Sequence, residues 1–193
     1  MPGNDFQDDV PKKEGDVAED EPRSKLLSEL DLVLKESPFW VKDGLIPSLL
    51  FGERFEVDNI DKDKKKFDKV SRLEATSLNY KMSLVLDYNS ELLRITSRTV
   101  FFLGLAASLS DTEPVSKDPN AYLQPASWNE GQSTETAKRF SYVAYGKVYR
   151  YEKAEEDKMI AYISFGGLLM SLTGYHYQLE MVRVNNYVYL LIQ

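Results

Sequence analysis

The strongest constraint on the fold is a strict alternation of side chains between residues 79 and 88, "NYKMSLVLDY". Successive side chains of a β-strand point to opposite faces, so a period of two indicates a strand with one buried face. One face carries Tyr80, Met82, Leu84, Leu86 and Tyr88, and the other carries Lys81, Ser83, Val85 and Asp87. The segment is therefore predicted to be a half-buried strand.

Seven further segments have the same character. They are rich in β-branched and aromatic residues, which favour strands, and short polar turns such as "DKDKKK" and "TGYH" separate several of them. They are "RFEVDNI", "KVSRLEATS", "ELLRITSRTVFFLGLAASL", "FSYVAYGKVYRYE", "MIAYISFGGLLMSL", "YQLEMVRV" and "NYVYLLIQ". About eight strands without helix-length patterns between them predict an all-β sandwich or barrel, and closure would remove exposed strand edges.

The first 51 residues differ from the rest of the chain. Residues 1–23 are rich in Asp, Glu, Pro and Gly, so we expect a disordered acidic tail. Residues 24–51 are expected to form an extension, in which "SKLLSELDLVLKES" is a short amphipathic helix that ends before Pro38. The barrel domain is predicted at 52–193. The extension presents an apolar stripe that we expect to contact a partner: Leu27, Leu30, Leu34, Phe39 and Trp40.

One stretch inside the barrel domain lacks any period. Residues 110–137 contain three prolines and many polar side chains, and they predict a long irregular loop. Loops of this length in a compact domain are usually functional or disordered.

Charge and composition narrow the class of protein. The net charge is −7, and residues 1–23 hold eight acidic and three basic residues, so the body of the chain is nearly neutral. Nucleic-acid binders usually carry a basic surplus, which is missing here. The absence of Cys excludes disulfides and thiolate metal sites. No segment approaches the length of a membrane helix, so we expect no membrane contact.

No set of residues has the spacing of a catalytic or metal site. The single histidine, His176, lies in a predicted turn without a partner set, and a packed or solvated side chain is the more economical interpretation. The stretch "DNIDKDKKKFD" lacks the glycine and terminal glutamate of a calcium loop. The best basic patch is interrupted by Asp61, Asp63 and Asp68, and consists of Lys62, Lys64, Lys65, Lys66, Lys69 and Arg72. We therefore expect no catalytic residue, metal or cofactor.

The pair Gly166 and Gly167 interrupts an apolar run. A phosphate-binding loop would need a following Lys and Ser or Thr at the start of a helix, and Leu168, Leu169 and Met170 follow instead. Glycine inside a strand marks a bulge, a barrel bend or the close approach of another backbone. The sequence leaves these structural interpretations open.

A second glycine, Gly146, precedes a dense polar and aromatic set. Tyr and Arg are enriched at protein interfaces because they bury a large area and keep a polar group. Two glycine-marked strands with aromatic residues on both faces suggest a sheet covered on both sides, with another protein as the second cover. The predicted partner-binding residues are Tyr145, Lys147, Tyr149, Arg150, Gly166, Gly167, Leu168 and Leu169.

Several of these segments resemble a known family. "KKFDKVSRL", "YKMSLVLD", "YVAYGKVYR", "AYISFGGLLMSLTG" and the closing "VYLLI" are similar, in order from about Phe55 to Ile192, to the eighth-subunit family shared by eukaryotic nuclear RNA polymerases I, II and III. The "YGKVYR" and "SFGGLLM" segments are the specific part. The extension and "LLFGER" depart from the family pattern, so the resemblance does not cover their role.

The resemblance implies an antiparallel β-barrel related to the OB-fold, without catalytic activity. It further implies docking on the largest polymerase subunit in the nucleus, including the nucleolus, with a variable insertion at the long loop. Direct sequence-specific contact with nucleic acid is not expected. The alternative is a self-standing OB-type protein that binds single-stranded nucleic acid through stacked aromatic residues and lysines.

Overall fold

A computed structural model describes residues 46–62, 68–79, 81–110, 112, 115–118, 121–123, 134–155 and 157–193. The predicted tail and the stripe formed by Leu27, Leu30, Leu34, Phe39 and Trp40 lie outside these residues. Within the described part, eight strands are present: β1 (Leu49–Ile60), β2 (Val70–Ser77), β3 (Ser83–Asn89), β4 (Val100–Ala106), β5 (Tyr142–Lys153), β6 (Lys158–Phe165), β7 (Leu168–Tyr175) and β8 (Tyr187–Ile192).

The strands form one closed antiparallel barrel in the order β1-β2-β3-β7-β6-β5-β8-β4, and β4 pairs with β1 to complete it. The predicted all-β antiparallel barrel of about eight strands is therefore confirmed. Two short helices accompany the strands in the described part: α1 (Glu135–Lys138) and a 3₁₀-helix at His176–Gln178. Neither helix is long and apolar enough to cross a membrane.

The barrel interior follows from the alternation in the sequence. Leu84, Leu86 and Tyr88 of β3 are buried, whereas Ser83, the first residue of the strand, is exposed. The same rule places alternate residues of the other strands inside, where Phe55 stacks on Phe101 with ring centroids 6.2 Å apart. Side chains thus fill the interior, as expected for a barrel of eight strands.

The first strand begins at Leu49, inside the segment that the sequence assigned to the extension. Ile46, Leu50 and Phe51 are buried, and Leu49 pairs with Ala106 of β4. The barrel wall therefore includes residues before 52.

The segment "MIAYISFGGLLMSL" was predicted as one strand, and this prediction is wrong. It forms two antiparallel strands, β6 and β7, with Phe165 paired to Leu168 across a two-residue turn. Gly166 and Gly167 have φ values of 63° and 102°, and the two positive φ angles match a type I′ hairpin turn. A Cβ added at either glycine would have no atom of the described structure within 4 Å. Hence these glycines are needed for the positive φ angles of the turn, and no neighbouring backbone in the described part of the chain packs closely against them.

The segment "YQLEMVRV" was also predicted as a strand, and it is not one. It contains part of the 3₁₀-helix and then turns, which connect β7 to β8. Leu179 and Val182 from this connection are each 2% exposed and join the core cluster. Its apolar residues therefore close one end of the barrel.

Candidate protein-docking surface

The outer face of β5 and β8 carries a cluster of tyrosines. In the antiparallel register Tyr145 lies opposite Tyr189, and Lys147 lies opposite Tyr187. The Tyr145 ring is 4.6 Å from the Tyr189 ring and 5.5 Å from the Tyr187 ring, measured between centroids. The ammonium group of Lys147 lies 5.4 Å from the centre of the Tyr187 ring, a cation–π contact. The rings hold one another in place across the two strands.

A β-bulge continues this surface along β5. The pairing of β5 with β6 shifts register between Val148 and Arg150. Val148 is fully buried, whereas the next two residues are both exposed: Tyr149 is 45% exposed, and the Arg150 side chain is 61% exposed. A bulge places one extra residue on its strand, so two consecutive side chains reach the outside.

A second small network surrounds the bulge. The Tyr149 and Tyr162 ring centroids are 6.1 Å apart, and the Arg150 guanidinium lies 5.7 Å from the Tyr162 centroid. Glu152 forms an ion pair with Arg150 and accepts a hydrogen bond of 2.9 Å from the Tyr162 hydroxyl. The charges on this part of the face are thus balanced, and its rings are pre-positioned.

Strand register extends the outer face to the β6–β7 hairpin. Leu169 lies opposite Ser164, and Ser164 lies opposite Lys147. Residues directly opposite in an antiparallel ladder share a face, so the three form a row that continues to Tyr187. Leu169 is 42% exposed at the end of this row. We call the set Tyr145, Lys147, Tyr149, Arg150, Tyr162, Leu169, Tyr187 and Tyr189 the tyrosine face.

The predicted partner-binding residues divide into three groups. Tyr145, Lys147, Tyr149, Arg150 and Leu169 belong to the tyrosine face. Leu168 is partly buried against the core, and Gly166 and Gly167 form the hairpin turn beside Leu169. The sequence prediction missed Tyr162, Tyr187 and Tyr189, although the alternating tyrosines of "NYVYLL" were a signal. The sequence alone does not show that these tyrosines lie beside β5, because that depends on how the strands pair.

Gly146 lies directly beneath this surface. A Cβ at this position would overlap the carbonyl oxygen of Ser164 and lie 2.5 Å from a ring carbon of Phe165. The close backbone approach that the sequence suggested for a glycine-marked strand is thus found at Gly146.

Burial changes the acidity of the tyrosines. Burial, and secondly the neighbouring Tyr145, raises the pKa of Tyr189 above its ordinary value. Burial also raises the pKa of Tyr151, whose hydroxyl donates a hydrogen bond of 3.1 Å to the Leu179 carbonyl. Both hydroxyls therefore stay protonated at neutral pH, and the tyrosine face gains no charge from Tyr189.

Metal-ligating side chains do not cluster in the described part of the chain. The described residues contain no group of three or more His, Asp or Glu side chains that could hold a metal ion. His176 is exposed in the 3₁₀-helix. What this part of the chain presents is a rigid aromatic surface.

Comparison with known proteins identifies the family. The family model RNA polymerase Rpb8 matches residues 52–193. A Caenorhabditis elegans protein, "Probable DNA-directed RNA polymerases I, II, and III subunit RPABC3", is 36% identical over 149 residues, which cover 75% of this chain and 95% of the relative. The Schizosaccharomyces pombe subunit RPABC3 of DNA-directed RNA polymerases I, II, and III is 34% identical, with 76% and 97% covered.

A plant relative carries a different set of polymerases in its name. The Arabidopsis thaliana "DNA-directed RNA polymerases II, IV and V subunit 8B" is 36% identical over 129 residues, which cover 65% of this chain and 82% of the relative. The match to the family model spans every strand except the first residues of β1. This chain belongs to the RNA polymerase Rpb8 family.

Proposed function

We propose that this chain is a non-catalytic common subunit of DNA-directed RNA polymerases I, II and III. It acts in the nucleus, including the nucleolus, where it docks on the largest subunit and supports assembly for DNA-templated transcription. The family membership and the names of the relatives support the polymerase assignment. A subunit that binds only the native form of its partner stabilises the assembly by mass action.

The tyrosine face is the observation that carries the docking proposal. It combines aromatic rings, an arginine and a lysine on a closed barrel wall, and interfaces favour these residue types. The rings already contact one another, so little side-chain entropy is lost when a partner covers them. Tyr149 and Leu169 are its most exposed large hydrophobic residues.

The N-terminal extension is proposed to add a contact that the family pattern does not include. Its stripe of Leu27, Leu30, Leu34, Phe39 and Trp40 lies before the residues matched by the family model. Hydrogen exchange compares the free chain with the assembled polymerase. Added protection in residues 24–51 on assembly supports the contact, and unchanged exchange there contradicts it.

Affinity purification tests the proposed function. The tagged full-length chain is recovered from nuclear extract, and co-purifying proteins are quantified by mass spectrometry. We expect the largest subunits of polymerases I, II and III in stoichiometric amounts. Recovery of only one of them would make this chain a specialised subunit, and recovery of none would refute the proposal.

A matched pair of variants tests the docking surface. The double variant Tyr149→Ser and Leu169→Ser removes exposed apolar area from the tyrosine face and should reduce recovery of the polymerases severalfold. Leu78→Ser is the control, because Leu78 is 47% exposed in the connection between β2 and β3. Equal recovery with both variants would exclude the tyrosine face as the docking surface.

A further inference from the structure

A pocket beside the start of β8 has no role in the proposed docking. It has a volume of about 280 Å³ and lies between β1, residues 115–118 with Tyr122, and the connection before β8. Its described lining residues are Leu50, Val115, Ser116, Lys117, Asp118, Tyr122, Met181, Arg183 and Asn186. None of them belongs to the tyrosine face.

Hydrogen bonds hold one wall of this pocket against the barrel. The Tyr187 N–H donates to the Tyr122 carbonyl at 2.8 Å, and the Val115 N–H donates to the Pro47 carbonyl at 3.3 Å. The Tyr122 hydroxyl accepts a hydrogen bond of 2.6 Å from the Ser116 N–H. Hydrogen bonds therefore connect the wall both to Pro47, just before β1, and to the first residue of β8. The pocket is formed without a ligand.

The charged lining favours an anion. Lys117 and Arg183 are exposed, and neither has an ion pair with another residue in the described ranges. Asp118 is the one acidic residue of the lining. The described lining thus has a net positive charge, although the chain as a whole is acidic. A carboxylate between the two cations would form charge-assisted hydrogen bonds.

Asn186 supplies an independent indication of a polar ligand. It lies in the pocket wall and is 4% exposed. Its backbone N–H donates to the Arg183 carbonyl, but its side-chain amide has no hydrogen bond to any residue that the structure describes. A buried amide without a partner costs free energy, so a ligand that supplies an acceptor or donor is favoured there.

Size and apolar lining select the kind of ligand. A pocket of about 280 Å³ lies at the lower edge of the usual range for small-molecule and cofactor sites, so it has room for few side chains. Leu50, Val115 and Met181 give it an apolar part beside the cations. These features match a peptide in which an acidic side chain lies next to an apolar side chain.

We propose that this pocket binds an acidic peptide segment of a partner protein, in which an Asp or Glu neighbours a large apolar residue. The carboxylate lies between Lys117 and Arg183, the peptide backbone reaches the Asn186 amide, and the apolar side chain contacts Met181. The inference rests on the proposed function only for the source of that segment, which would be another polymerase subunit.

Amide-resolved NMR titration of the full-length chain tests this proposal. The probe is acetyl-leucyl-aspartyl-glutamyl-leucine amide, and the matched peptide carries asparagine and glutamine in place of the two acids. We expect saturable shifts of the Asn186 side-chain amide and of residues 115–118 with the acidic peptide. The dissociation constant should rise about tenfold in the double variant Lys117→Gln and Arg183→Gln.

Controls separate this site from general attraction of an anion. The double variant Lys62→Gln and Lys69→Gln removes two cations elsewhere, which form ion pairs with Glu74 and Glu91, and should leave the peptide affinity unchanged. Equal binding of the uncharged peptide, no shift at Asn186, or the same shifts with acetate alone would each overturn the proposal. Recovery of polymerase subunits with the tagged chain tests the proposed function separately.

Discussion

Gly146 has no room for a side chain, because a neighbouring backbone lies against it. A methyl group there meets the backbone of Ser164, which lies on the neighbouring strand and cannot rotate away. We expect Gly146→Ala to destabilise the fold by about 2 kcal/mol, as overpacked cores do. Urea unfolding followed by circular dichroism measures this loss.

Gly52→Ala is the matched control for that variant. An added Cβ at Gly52 meets only side-chain atoms, from Phe102 and Leu49, at 3.0–3.2 Å. These side chains can shift, so the loss of stability should be clearly smaller than for Gly146→Ala. Equal losses would show that the Ser164 backbone is not the limiting contact.

We expect Glu53 to make the stability of the barrel depend on pH. This carboxyl group is 6% exposed on β1, and burial raises its pKa above 4.5, while the hydrogen bond of 2.6 Å from the Arg54 N–H opposes the shift only in part. The folded state therefore holds the proton more tightly than the unfolded state. Stability falls as the pH rises from the unfolded pKa through the folded pKa.

The variant Glu53→Gln should remove this dependence. At neutral pH we expect it to raise the free energy of unfolding by about 1 kcal/mol, because no buried charge remains. The gain should shrink as the pH falls below 4.5, where wild-type Glu53 is protonated in both states. Urea unfolding across this pH range checks the sign, and a variant less stable at neutral pH would contradict it.

At the scale of elements, the β6–β7 hairpin depends on its two glycines. Gly167 has a φ of 102°, which a β-branched residue rarely adopts. Gly167→Val should therefore cost about 1–2 kcal/mol of stability. Thermal or urea unfolding measures the loss, and docking should weaken if the displaced turn moves Leu169.

Gly166→Asn is the control for the turn. Its φ of 63° lies in the left-handed region that Asn tolerates, and Asn-Gly is a preferred type I′ pair. We expect this variant to remain close to wild type. A loss as large as that of Gly167→Val would mean that another feature of the turn, and not its φ angles, limits stability.

The same hairpin shows where sequence prediction succeeds and fails. Alternation identified β3 and β5, because every second residue of β3 and of the first half of β5 faces the core. It failed at Gly166 and Gly167, because the apolar residues on both sides continue the pattern through the turn. Gly-Gly between two alternating runs was the available signal for a hairpin.

The prediction of a strand at the connection before β8 failed for a different reason. Leu179 and Val182 are apolar because they cover the end of the barrel, and they do not alternate along a strand. The local sequence pattern alone does not distinguish residues buried by covering the end of the barrel from residues buried on one face of a strand. The candidate surface was predicted where it lies on one strand, as at Tyr145 and Tyr149, and missed where it depends on pairing with β8.

At the scale of the whole molecule, the charge distinguishes the polymerase subunit from the alternative of a self-standing nucleic-acid binder. A single-stranded nucleic-acid binder would use the tyrosine face for stacking and nearby cations for phosphates. The chain has a net charge of −7, and Glu152 neutralises Arg150 within that face. We therefore expect weak binding of short oligonucleotides in fluorescence anisotropy at low salt. Tight binding that salt abolishes would instead favour the nucleic-acid function.

Closure of the barrel has a consequence for the order of events during synthesis. β8 follows the other seven described strands in chain order, yet it lies between β4 and β5. Until β8 arrives, those two strands each keep an unpaired edge of N–H and C=O groups beside apolar side chains. The nascent chain therefore exposes two unpaired strand edges, which can bind other chains, until Tyr187–Ile192 leaves the ribosome. We expect chaperones to bind the chain during this time.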